Sequence, residues 1–465
     1  MSPSALSDPP AYLSGAKFNR RITCPRTHLP VSFSDTGDPQ GVPLLWILPS
    51  GCSRWFAAPQ DPLANLFGVR LIAVDRPGVG ATPVVPLEDR IRISCCELPR
   101  PCSPELTAVL IASVLEHLEV KLAHLLATSA GIYYALRLLT HQPHIFLTGL
   151  APPPRVYLIA PWSPLLPSDH PDYYNSIFPW IPEKLITTQH MTVGLPALLK
   201  VSRGAASWWN TGVTTAWNGF EYAKSLLPGA LAPAHEIPVP DGSTGVIVPE
   251  LPVSRKSSSE PQVDEESEED LRARGRMWGK CPCCIGCVSG RTTRLTVRLT
   301  RQLTTDYFHA ENFEGVGQEH LLCLNRGSSD TGPEWFVKAV ADLAGAIVAA
   351  QGAGSETPRT KPAAEKAQSP DSSAVRCPLD IQLWWGWKDG MVPRKGQLWF
   401  NKVIGAHPGA IRVTVHDVPD GDHTNLLGRA DGIYRVYDMV QETGQHTGPL
   451  EPSGTERADV KSSAG

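Results

Sequence analysis

The chain has 465 residues, of which 42% are hydrophobic and 19% charged, and a formal net charge of −4. That leaves room for two or three domains with a sizeable core, and it offers no basic surplus for binding nucleic acid. No run comes near the roughly 20 uninterrupted apolar residues that cross a bilayer.

From the N-terminus, residues 1–20 read as a flexible tail, and Pro9 and Pro10 interrupt the apolar core that a signal peptide needs. Residues 1–30 are short of acid and hold Lys17, Arg20, Arg21 and Arg26. That charge pattern is compatible with a mitochondrial presequence, although the same prolines break its amphipathic helix. The expected address is cytoplasmic, with mitochondrial as the alternative. "LPVSFSDTG" (29–37) alternates with period 2, as an early antiparallel strand does. Short runs apolar on both faces follow at 43–48, 69–75, 123–128, 156–160, 380–386 and 411–418. Such runs are typical of parallel strands buried between helices. Helix patterns lie among them at 104–119, 131–141, 333–350 and 394–404. Strand alternating with helix predicts a three-layer α/β sheet in two halves, 21–160 and 333–442.

Between the halves, residues 161–332 break the rhythm with helix-like, aromatic segments at 173–186, 191–202 and 207–227. An apolar helical insertion at this point reads as a lid over the C-terminal strand ends, where α/β ligands bind. Trp180, Trp208, Trp209 and Trp217 either face that site or form the insertion's own core. Residues 229–275 and 351–376 and the tail 443–465 are rich in Pro, Gly, Ser and charge, and they read as disordered for want of core-forming side chains. The eleven cysteines lack disulfide-framework spacing, which suits a reducing compartment. Cys281, Cys283, Cys284 and Cys287 crowd one segment with a zinc-like C-x-x-C pair but no matching second pair. No metal and no cofactor is expected.

Four motifs remain, each placed just after a predicted strand. "ATSAG" (127–131) sets Ser129 at a strand-to-helix junction among small residues, which fits either a nucleophile elbow or an ordinary turn with a serine N-cap. "VDRPGVGAT" (74–82) is a Gly-rich turn carrying Asp75 and Arg76. "WWGWKDGMVP" (384–393) places Asp389 beyond a buried strand, and "VPDGDHTNLL" (418–427) places His423 beyond the last one. Asp422 beside His423 reads as a loop residue. The order Ser, Asp, His along the chain matches the nucleophile–acid–base order of a known hydrolase arrangement.

On these motifs, over residues 29–160 and 333–430, the chain resembles the α/β-hydrolase superfamily, most closely its lidded serine esterase and lipase-like branch with a D-R-P-G-x-G turn. The resemblance implies a mostly parallel sheet with an inserted helical lid, and roles for Ser129 as nucleophile, His423 as general base and Asp389 as the acid that orients it. It implies an oxyanion hole from the backbone N–H of Ala130 and a second donor after strand 43–48. There the family's His-Gly is replaced by Leu48-Pro49. Because Pro49 has no N–H, the donor is Ser50 or Gly51, and the family pattern favours Ser50. The implied function is hydrolysis of an ester or related acyl bond in a small, mostly apolar substrate. The alternative is a catalytically impaired relative that binds a ligand or partner. A serine nucleophile argues against dehalogenase or epoxide hydrolase chemistry, which uses a carboxylate.

Overall fold

The runs that are apolar on both faces become strands covered on both faces, except 411–418, which forms an edge of the sheet and is exposed along much of its length. The computed structural model describes residues 8–85, 103–146, 154–174, 311–326, 331–353 and 378–446, with isolated residues between 176 and 310. The strands are β1 (Arg20–Thr23), β2 (Pro30–Gly37), β3 (Val42–Ile47), β4 (Val69–Val74), β5 (His124–Thr128), β6 (Arg155–Ile159), β7 (Leu379–Gly386) and β8 (Ile411–Val418). They form one sheet in the order β1-β2-β4-β3-β5-β6-β7-β8. The β1–β2 and β2–β4 pairs are antiparallel, and β4 to β8 run parallel through β3, β5, β6 and β7. This is the mostly parallel α/β-hydrolase type of sheet that the motifs predict.

Alternate residues along each strand serve opposite layers, as the pleat requires. Leu45, Ile47, Leu125, Ala127, Val156 and Leu158 pack with the helices α3 (Ser103–His117), α4 (Gly131–His141), α6 (Pro333–Ala353) and α7 (Arg394–Ile404). Their neighbours Leu44, Trp46, Leu126, Tyr157 and Ile159 pack with α2 (Asp61–Leu66) and α8 (Arg435–His446). The edge strand β8 is exposed along much of its length, unlike the fully buried β7.

Two boundaries differ from expectation at the ends. Residues 9–18, expected in a flexible tail, form the short helix α1 (Pro9–Leu13) and a turn that pack. The two prolines start this helix instead of breaking it, in the first-turn positions where a missing N–H costs nothing. Tyr12, Leu13 and Phe18 are buried against Trp55 and Tyr307, and the Tyr12 hydroxyl donates to Asp61. At the other end α8 runs past residue 442, with Thr443 buried and hydrogen-bonded to His124 at 3.0 Å. Within the expected lid the structure describes one helix, α5 (Glu314–Cys323). The segments 191–202, 207–227 and 229–275, the Cys281–Cys287 cluster, and Trp180, Trp208, Trp209 and Trp217 lie outside the described residues, as do most of 351–376 and of the C-terminal tail. Among the described residues no helix is long and apolar enough to cross a membrane.

Candidate active site

Three parallel strands, β5, β7 and β8, end on the same edge of the sheet, and the three side chains singled out above follow those ends. Ser129 directly follows β5. Its φ of +49° is a left-handed conformation, unusual for a residue with a side chain. The strain is held from both sides: Ser129 N–H donates to Ile159 O at 3.3 Å, and Trp162 N–H donates to Ser129 O at 3.0 Å. The turn is tight because α4 starts hard against β3. A Cβ on Gly131 would lie 2.6 Å from Ile47 O and 3.2 Å from Leu48 O, so glycine is needed there. Ala127 takes the position of the elbow's first glycine and is simply part of the core.

The loop after β7 brings Asp389 to the same edge. One carboxylate oxygen, Oδ1, accepts the backbone N–H groups of Met391 and Val392 at 2.8 and 2.9 Å. That leaves Oδ2 facing His423 Nδ1 at 2.7 Å. His423 Nε2 in turn stands 2.9 Å from Ser129 Oγ. All three side chains are buried, with relative exposures of 4% for Asp389, 6% for His423 and 8% for Ser129. Burial by itself would lower the His423 imidazole, but the charge and hydrogen bond of Asp389 outweigh it. With a further pull from Asp422, they raise it above its ordinary value. The Asp422 side chain spends its hydrogen bonds locally, accepting from Thr424 and Asn425 N–H at 2.8 Å each, so it shapes the loop that holds the imidazole.

The two expected backbone donors sit on adjacent strands' ends, since Ile47 of β3 pairs in register with Ala127 of β5. Among the described residues, neither Ala130 N–H nor Ser50 N–H donates to a protein acceptor. Gly51, the other candidate, donates its N–H to Glu319 Oε2 at 3.1 Å and is spent. The Ser50 hydroxyl also donates to Glu319 Oε2, at 3.0 Å. Glu319 lies on α5 and is one of two residues here that sequence reasoning left without a role. The other is Arg76 of the "DRPGVG" turn, which pairs with Glu319 and donates to Leu48 O and Pro49 O, each at 2.8 Å. Burial would favour the neutral forms of both, yet their mutual attraction wins: Arg76 is held charged and the Glu319 carboxyl is lowered.

Chemically, the arrangement can take a proton from Ser129 and hold the resulting imidazolium against a carboxylate. No family model matches the sequence, and no curated protein matches it. Solved structures are similar at low identity. A bromoperoxidase from Bacillus anthracis is 14% identical with a TM-score of 0.43, over 91% of this chain and 99% of the other. An esterase from Exiguobacterium antarcticum is 11% identical with a TM-score of 0.41, over 92% and 98%. An α/β-hydrolase fold protein from Nakamurella multipartita is 13% identical with a TM-score of 0.37, over 92% and 100%. Likeness this remote carries no conclusion about the chemistry of this chain.

Proposed function

We propose that the chain is a serine hydrolase that cleaves an ester or related acyl bond of a small, mostly apolar substrate. The observation that supports this best is the unbroken relay Asp389 Oδ2–His423 Nδ1 at 2.7 Å and His423 Nε2–Ser129 Oγ at 2.9 Å. The serine in that relay holds a strained, positive φ. In the proposed reaction Ser129 Oγ attacks the acyl carbon while His423 Nε2 takes the hydroxyl proton. The carbonyl π electrons move to oxygen, and Ala130 and Ser50 N–H receive that oxyanion. As the tetrahedral intermediate collapses, His423 gives its proton to the departing alkoxide and an acyl-Ser129 remains. Water then repeats the sequence, with His423 taking its proton, and frees the acid and the serine. Asp389 keeps the Nδ1–H tautomer and stabilises the imidazolium, and it stays ionised throughout.

An apolar substrate is favoured by the aromatic content of residues 161–332, which we take as the lid over this edge of the sheet. The test is covalent. A fluorophosphonate probe should label the wild-type protein at Ser129 and spare the Ser129→Ala variant, with the adduct located by peptide mass spectrometry. Absence of labelling under conditions that saturate an ordinary serine esterase would favour the non-catalytic binding protein instead. An adduct on another serine would remove the site assignment.

A further inference from the structure

The "DRPGVG" turn is built as a socket for α5. Asp75 anchors its base, accepting the Ser32 hydroxyl at 2.6 Å, Arg54 N–H at 2.5 Å and the Arg54 guanidinium at 2.6 Å. Gly80 and Asn312 exchange backbone hydrogen bonds of 2.9 and 3.2 Å, and Gly315 N–H donates to Gly78 O at 2.7 Å. The two glycines let the backbones touch. A Cβ on Gly78 would lie 2.6 Å from Gly315 Cα, and one on Gly315 would lie 2.8 Å from the Gly78 carbonyl carbon. No other residue type fits on either side of that contact.

This docking delivers Glu319 to Arg76, with both side chains buried. What the pair does follows from peptide geometry. In a trans peptide the C=O of one residue and the N–H of the next point in opposite directions. Arg76 draws Pro49 O towards itself at 2.8 Å, so Ser50 N–H is turned away from the arginine. Glu319 draws the next N–H, of Gly51, the other way at 3.1 Å. The two charges thus set consecutive peptide planes in opposite senses, and Gly51 meets the resulting twist with a φ of +72°. Pro49 contributes a fixed φ of its own.

We propose that Arg76 and Glu319 are positioning residues that aim Ser50 N–H at the oxyanion, so that α5 of the inserted segment is a working part of the oxyanion hole. This rests on the serine-hydrolase reading, since without an oxyanion there is nothing to aim at. It also bears on the loss of the family's His-Gly after β3: the direction of the donor is set jointly by the two charges and by the loop's own turn, in which Cys52 N–H donates to Pro49 O at 3.2 Å.

The experiment compares Glu319→Ala, Glu319→Gln and Gly315→Ala with the wild type, per active site titrated by fluorophosphonate and well below each melting temperature. Glu319→Ala removes the acceptor and should lower kcat by about 100-fold, with KM for a chromogenic ester within about threefold. Glu319→Gln keeps a carbonyl oxygen for Ser50 and Gly51 and should recover kcat to within about tenfold of wild type. Gly315→Ala leaves both charges intact but wedges α5 off the turn, and should match Glu319→Ala. It carries the same test if Glu319→Ala does not fold. A purely structural role would leave one further ratio unmoved, the preference for an oxygen ester over its thionoester. That preference depends on the oxyanion hole and should fall about tenfold in Glu319→Ala and Gly315→Ala but hold in Glu319→Gln. Wild-type labelling at Ser129 together with normal kcat in Glu319→Ala or Gly315→Ala overturns the positioning role alone, as does a lost kcat with an unchanged ester preference. A wild type that does not label at Ser129 overturns the hydrolase reading and this inference with it.

Discussion

Replacing Asp389 with asparagine probes the relay at its least exposed member. The substitution is nearly isosteric, and the amide oxygen can keep the two backbone bonds from Met391 and Val392 that fix the loop. The amide NH₂ then faces His423 Nδ1 across the 2.7 Å now spanned to Oδ2. A donor there demands an acceptor, so the imidazole proton moves to Nε2, the nitrogen that receives the Ser129 proton in the proposed reaction. The expected loss in kcat is about 10⁴-fold, or roughly 5.5 kcal/mol of barrier, with little change in fold. The pH profile should change as well. Because His423 is raised above its ordinary value of about 6.5, the wild-type rate should climb with pH through a midpoint above that figure. In Asp389→Asn the main raising influence is gone and burial is opposed only by the smaller pull of Asp422, so the residual activity should climb at lower pH. Stability follows the same sign. A raised native pKa gives stability that is fully present below the unfolded value and lost as pH climbs through the native one. The variant's deficit against wild type should therefore be larger at pH 5 than at pH 9. Steady-state ester hydrolysis from pH 5 to 9, with thermal melts at both ends, reads all three. A variant within tenfold of wild type, or one whose acid limb does not move down, refutes the relay.

Ser129→Ala and His423→Ala should each abolish nearly the same activity, and the double variant should be no worse than either, since relay members act as a unit; kcat measured on all three decides it. Lengthening the acyl chain of a chromogenic ester should raise kcat/KM about fourfold per methylene, from about 0.8 kcal/mol each, until the pocket fills; a preference for charged or peptide substrates would contradict an apolar site. Gly131→Ala should cost about 1–3 kcal/mol in denaturant melts and disturb turnover together, because its Cβ meets the Ile47 and Leu48 carbonyls. A neutral effect would mean that the turn has room the structure does not show.

Ser129 and Asp389 are readable because each follows a strand buried on both faces, and such runs announce their own ends. His423 follows β8, an edge strand exposed along much of its length, and is readable from the Gly- and Asp-rich loop that closes the run 411–418. Their assembly then followed from parallel strands whose ends share one edge. Glu319 was not readable. A glutamate in "EGVGQEHLLC" looks like any solvated helix residue, and its partner Arg76 is 243 positions away. Arg76 stood in a recognised turn, but nothing local says that its guanidinium reaches the carbonyls of Leu48 and Pro49. The strand β1, "RRIT", is short and half charged, and only its pairing with β2 makes it a strand. The buried N-terminal turn was missed because its three large apolar residues, Tyr12, Leu13 and Phe18, fill a cluster supplied by distant Trp55 and Tyr307.

The Arg76–Glu319 pair also sets a clock on synthesis. At about 5–20 residues per second, the 243 positions between them take the ribosome roughly 12–50 s to cover. During that interval the emerging N-terminal half holds an arginine without its carboxylate. It also presents β6 as an open edge, because the partner strand β7 is still to be made. A nascent chain in this state is a natural client for a holding chaperone. Arrested chains ending shortly before residue 311 should therefore be digested by protease far faster in their first 160 residues than chains long enough to expose β7. Equal resistance at the two lengths would show that the first half closes without its later partners.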